Sequence, residues 1–144
     1  MTLLAAVLTL VLSAIALLHA YWGVGGVWPG ADAASCARTV GGFPGVNNMP
    51  GPGPCFAVAA ALAVAALLAA AEGGLLPRPS ALLDIATLGA AFVFLGRGIA
   101  GFTPGWRRLT PEQPFATLDV RYYSPLCLAI GTGLAMLAIR GFSA

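Results

Sequence analysis

Lysine is missing altogether, and the charge that remains is sparse: seven basic residues, all arginine, against five acidic ones, 8% charged residues in total, and a single histidine. Soluble domains carry about a quarter charged residues, so most of this chain's surface is built for lipid rather than water. A net charge of +2, with no run of basic residues along one face, excludes a nucleic-acid partner. Met1 to Ala31 contains no Asp, Glu, Lys or Arg, which removes the positive n-region a secretory signal peptide needs; the first apolar run is expected to be a retained helix. The alternation of barrel strands is absent. So are a Cys-x-x-Cys pair, which argues against a thiol-redox enzyme, and a Gly-x-Ser-x-Gly signature, which argues against that class of hydrolase. No inverted repeat supports a transporter. Neither a cofactor nor a metal is expected.

What is present is apolar: 59% hydrophobic residues and a mean hydropathy of +0.90. Crossing a hydrocarbon core takes about 20 helical residues, and four runs are long enough: residues 2–23, 55–71, 80–101 and 124–142. Since lipid tolerates only helices or closed barrels, the expected fold is an all-α membrane protein. It is a four-helix transmembrane bundle in one domain, residues 1–144, with a long Gly/Pro-rich loop between helices 1 and 2 and an interfacial segment before helix 4.

Small residues let membrane helices approach closely. Thr9, Ser13, Ala16, Ala20 and Gly23 form one stripe on the first helix at spacings of three and four, and Cys127, Gly131, Ala135 and Ala138 form another on the fourth. His19 flanks the first stripe and is expected to face the bundle, with Tyr21 pointing elsewhere. Ser124-Pro125 reads as a cap for the fourth helix and Ser80, with Asp84 in the next turn, as a cap for the third. Thr110-Pro-Glu-Gln113 reads as a capping box opening a short helix that carries Phe115 and Leu118.

Depth follows from helical rise. His19 and Arg97 each lie roughly 25 Å along their spans at 1.5 Å per residue, on the face that also holds the connection containing Trp106, Arg107, Arg108, Asp119, Arg121, Tyr122 and Tyr123. His19, Arg97, Asp119 and Arg121 are therefore expected to converge there. Ionisable groups within spans are costly and commonly mark function, and a buried arginine wants a carboxylate, for which Asp119 is the nearest candidate. His19, Asp119 and Arg97 are the candidate catalytic groups, and Tyr21, Trp22, Arg121, Tyr122 and Tyr123 the candidate substrate-binding ones. Blander readings stand beside these. His19 also fits a hydrogen-bonded bundle histidine, and less well a haem or metal ligand, because metal sites need several ligands. An aromatic belt accounts for most of the tyrosines and tryptophans, and headgroup contact accounts for Arg107 and Arg108.

Cys36 and Cys55 bracket a loop of turn formers with no core of its own, and a disulfide between them is expected if that face meets an oxidising compartment. Orientation is contested. Arg38, Arg97, Arg107, Arg108 and Arg121 lie on the histidine face against Arg78 and Arg140 on the other, which by the positive-inside rule would make the histidine face cytoplasmic. The disulfide, with Arg97 and Arg121 set aside as site residues, places it outside, and outside is the expectation adopted.

Three stretches together carry a family resemblance: His19-Ala-Tyr-Trp-Gly-Val-Gly-Gly26, Arg97 near the end of the third span, and Phe115-Ala-Thr-Leu-Asp-Val-Arg-Tyr-Tyr-Ser-Pro-Leu-Cys127. The chain resembles a family of small bacterial four-helix membrane proteins known as domain of unknown function 3995. The resemblance implies four helices and a bacterial inner-membrane setting, and no activity. It picks out His19, Tyr21, Trp22, Arg97, Asp119, Arg121 and Tyr122.

The function expected is binding of a lipid-like small molecule of isoprenoid or quinone type, with isomerisation or cyclisation by acid-base chemistry as the reaction class. Membrane lipids and that apolar ligand are the expected partners of a monomer or homo-oligomer. The alternative is a non-catalytic accessory subunit of a larger membrane complex, docked through its Ala/Gly-rich faces.

Overall fold

A computed structural model describes residues 1–77 and 82–142, and every described element is helical. Four helices are long and apolar enough to cross a membrane. They are α1 (Thr2–Gly23), α3 (Pro52–Glu72), α4 (Leu82–Ala100) and the continuous helix Phe115–Phe142. The last comprises α6 (Phe115–Leu118), a π-helical turn (Asp119–Tyr123) and α7 (Ser124–Phe142). Two short helices, α2 (Ala33–Val40) and α5 (Pro104–Leu109), sit in the connections on the histidine face. The number and order of the spans are those expected from the sequence, but the last helix begins at Phe115 rather than at 124 and the second at Pro52 rather than at 55; Ser80 and Arg78 lie outside the described residues.

The bundle is two antiparallel hairpins. α1 packs chiefly on α3 and α4 on α7, and the two hairpins meet over a smaller area through α3 with α4 and through α7 with α1 and α3. Small residues set these approaches. A Cβ on Gly131 would stand 2.9 Å from the Leu95 backbone nitrogen and 3.0 Å from the Ala91 carbonyl, so the α4/α7 contact closes only over glycine. On the other hairpin Thr9 Oγ1 reaches the Ala66 carbonyl at 3.4 Å, placing the small stripe of α1 against alanine-rich α3. Leu8, Leu12, Leu134 and Leu137 fill the middle where the hairpins meet, all 5% exposed or less. Large apolar side chains such as Leu3, Leu10, Phe92 and Ile139 remain outside, as lipid-facing residues must.

The long connection after α1 is ordered by local chemistry. Trp22 Nε1 donates to the Trp28 carbonyl at 2.7 Å. α2 starts at a reciprocal capping box in which Asp32 accepts from the Ser35 amide, 2.7 Å, and the Ser35 hydroxyl accepts from the Asp32 amide, 3.0 Å. That amide bond holds the Asp32 carboxyl below its ordinary range. The loop is stitched to the second hairpin: Glu112 N donates to the Gly42 carbonyl and Gly45 N to the Glu112 carboxylate, each at 3.1 Å, and Tyr123 Oη donates to the Thr39 carbonyl at 3.2 Å.

Three expectations are corrected. Cys36 and Cys55 are both free and buried, so no disulfide closes the loop. Each thiol faces a carbonyl within its own segment, Cys36 that of Trp28 and Cys55 that of Pro50, both at 3.6 Å, and burial pushes the Cys36 thiol pKa up. Thr110 opens no capping box; its hydroxyl donates to the Trp106 carbonyl at 3.0 Å and closes α5. Ser124 is no cap either, because the helix is already running through it and its hydroxyl serves Asp119 instead.

Adding a methyl at Gly131 should cost about 1–3 kcal/mol through overpacking, read as a lowered unfolding midpoint of the Gly131→Ala variant in detergent. Gly96→Ala, where a Cβ meets nothing within 4 Å, should be neutral or stabilising by about 0.5–1 kcal/mol.

Candidate functional site

Asp119 is buried on the histidine face, 2% exposed, and every bond to its carboxylate comes from a side chain brought by a different stretch. Oδ1 accepts from Arg97 Nη2 at 2.6 Å and from the Ser124 hydroxyl at 3.1 Å, and Oδ2 accepts from Trp106 Nε1 at 2.9 Å. Arg97 also donates through Nη1 to Ser124 Oγ at 3.3 Å, and its guanidinium carbon lies 4.7 Å from the Trp106 ring centroid, within cation-π range. No buried polar side-chain atom is left without a partner among the described residues.

The backbone explains how four segments converge. Thr103 caps α5 by accepting from the Trp106 amide at 3.3 Å, which sets Trp106 in the first turn and swings its indole back over Arg97. The π turn bonds Ser124 N to the Asp119 carbonyl, five residues apart, so that Asp119 and Ser124 share a face. Arg97 and Gly101 share a face of α4 by i,i+4 spacing. A Cβ on Gly101 would overlap the Ser124 hydroxyl and come within 3.1 Å of Asp119 Oδ2; glycine there is what admits the pair.

Arg97 then turns from this anchor toward a cavity of about 520 Å³ between the two hairpins, within the range of small-molecule sites. Its walls are mostly apolar, from Ile15 and Leu18 on α1, Leu62 on α3, Phe94 on α4 and Ile130 on α7. Arg97, His19 and Tyr123 add polar groups to its lining. Val58 and Leu126 line it while remaining 43% and 41% exposed, so the mouth opens between apolar side chains. A second cavity of about 320 Å³ lies under the Gly/Pro loop, and His19 and Trp22 line both.

His19 has a definite tautomer. Its Nδ1 lies 2.9 Å from the Ile15 carbonyl, and a carbonyl only accepts, so Nδ1 carries a proton; when the ring is neutral, Nε2 presents the lone pair. The ring edge packs on Trp22 at 4.8 Å between centroids.

Of the residues singled out in the sequence, His19, Trp22, Arg97 and Tyr123 line one cavity, and Asp119 stands behind Arg97 without lining it. Tyr21 is 43% exposed and lies over Gly26. Arg121 is exposed and stacks on exposed Tyr122 at 5.6 Å, and neither reaches the cavity. Trp106 and Ser124 were missed as site residues. Ser124 has no signal at a constant helical period, since only a π turn aligns it with Asp119. Trp106 looks like any belt tryptophan until α5 turns it inward. Among the described residues, no three His, Cys, Asp or Glu side chains gather to hold a metal ion.

The model of a family described as protein of unknown function (DUF3995) matches residues 12–134. The chain belongs to this family. The match covers every residue of the Arg97–Asp119 network and all three of those polar groups lining the cavity in this DUF3995 protein. A search of curated proteins and a search of solved structures each found no match.

Removing the carboxylate should expose how much rests on it. Asp119→Ala leaves Arg97, whose side chain is 31% exposed, without its carboxylate and strands the Trp106 and Ser124 donors, so the loss should fall below the figure of about 3–5 kcal/mol for a fully buried pair. A thermal melt in detergent should show the loss, and Arg121→Ala, an exposed residue, should leave the midpoint nearly unchanged.

Proposed function

We propose that this membrane protein binds an apolar small molecule of isoprenoid or quinone type in the cleft between its hairpins, with the ligand's polar head at Arg97 and His19. One observation carries the reading: a largely apolar cavity of about 520 Å³ whose lining includes the polar groups of Arg97, His19 and Tyr123. Arginine has five N–H donors, and two are spent on Asp119 and Ser124, leaving others for a ligand oxygen. His19 Nε2 supplies an acceptor, and the Tyr123 oxygen a second.

The same groups fit an acid-base isomerisation. Neutral His19 would take a proton from one carbon of the bound molecule through Nε2 and return it to another, while Arg97 holds the head oxygen by hydrogen bonds. Asp119 does not serve as the base, because both its oxygens are engaged by three donors. It is a positioning residue, holding Arg97 in place and balancing its charge.

Mass spectrometry of the purified protein should find a copurifying apolar molecule, and an absorption spectrum should show no haem. Leu126→Trp, at the exposed mouth, should fold normally and lose most of that molecule. An empty, unstable wild-type chain that is rescued only by a larger complex would favour the accessory-subunit reading instead.

The setting proposed is a bacterial inner membrane with the histidine face cytoplasmic. With both thiols free, nothing ties the loop to an oxidising compartment. Arg38, Arg107, Arg108 and Arg121 then orient the chain by the positive-inside rule. Asn48 is exposed in the loop, so an Asn48→Cys variant should resist a membrane-impermeant maleimide in intact cells and react once the membrane is opened.

A further inference from the structure

We infer that the cleft selects an uncharged head group, a hydroxyl or carbonyl on an apolar chain, and rejects a carboxylate or diphosphate on the same chain. This rests on the reading of the cleft as the site of an apolar ligand.

Among the described residues, Arg97 is the only Arg, Lys, Asp or Glu lining the cavity. A free arginine in an apolar pocket would call for an anion, because burying an unpaired charge is costly. Arg97 is not free. Its Nη2 is 2.6 Å from Asp119 Oδ1, and that carboxylate, 2% exposed, has no other cation bonded to it among the described residues: its remaining donors are the neutral Ser124 hydroxyl and Trp106 indole. The pair presents the cavity with a dipole rather than a net positive charge.

The other polar groups are acceptors when His19 is neutral. Its Nδ1–H then donates to Ile15 and leaves an acceptor at Nε2, and the Tyr123 hydroxyl has donated its hydrogen to Thr39, so its oxygen also accepts. Two acceptors and one donor set suit an alcohol, which donates one hydrogen bond and accepts others, or a carbonyl that accepts from Arg97. An anion would set its charge against two lone pairs and a balanced ion pair, inside walls that return none of the solvation it gave up.

The test is a series of four probes with one C15 chain: farnesol, farnesal, farnesoic acid and farnesyl diphosphate. Occupancy of the full-length protein in lipid nanodiscs is read by native mass spectrometry at matched bilayer concentrations. Farnesol and farnesal should bind at least roughly tenfold more tightly than the acid or the diphosphate, a difference of about 1.4 kcal/mol. Asp119→Asn, which removes the balancing charge, should move the ratio toward the acid by a similar factor; if that variant does not fold, the wild-type series decides alone. Acid or diphosphate binding as tight as the alcohol overturns the inference and leaves the cleft as a ligand site. No binding by any of the four overturns the ligand reading itself, and the inference with it.

Discussion

The histidine-face end of this bundle depends on one ion pair, Arg97 with Asp119. A carboxylate that is 2% exposed needs both a cation and a full set of donors, and it obtains them from α4, α5 and the start of α7. Each partner fixes something else in turn. Trp106 pins the connection back over α4, Ser124 fixes the phase of the last helix, and Gly101 is kept small so that the pair fits at all. The aqueous connection is thereby tied to the bundle by charge-assisted bonds in a region where hydrophobic association between helices is weak.

The first hairpin is held differently. α1 and α3 meet through alanine, glycine and threonine, and their connection is ordered by a capping box, by the Trp22 indole and by three bonds to the second hairpin. The second hairpin therefore contributes fixed polar groups to the cleft, and the first contributes an apolar wall, His19 and the loop overhead.

The number, order and type of the spans were legible in the sequence, because lipid enforces long uniform apolar helices and leaves few other solutions; the nine-residue extension of the last one to Phe115 was not. Arg97 with Asp119 was legible too, from depth and from the need of a buried arginine for a carboxylate. Ser124 was not: serine followed by proline is a strong cap pattern, and the π turn that overrides it leaves no trace in composition. The Cys36–Cys55 bridge failed for a related reason. Two cysteines flanking a turn-rich loop look closable on paper, yet Cys36 belongs to α2 and Cys55 to α3, and each thiol is committed to its own segment. Tyr21 and Tyr122 carry much the same aromatic chemistry as their neighbours Trp22 and Tyr123, and their turn toward the outside is decided by helical phase alone.

The continuous helix Phe115–Phe142 spans 28 residues, about 42 Å at 1.5 Å per residue, against a hydrocarbon core of about 30 Å. Roughly two turns therefore stand proud of the hydrocarbon as a rigid post, and the π turn sits in that post at about the level where lipid gives way to headgroups. A bulge of this kind is a one-residue ratchet. Without it, every side chain beyond Tyr123 would be rotated by about 100°, carrying Gly131 off its seat on α4 and Ile130 out of the cleft wall. The spacing between Asp119 and the glycine of α7 is thus a gauge length as well as a sequence, and the whole membrane half of this helix is indexed from its polar end.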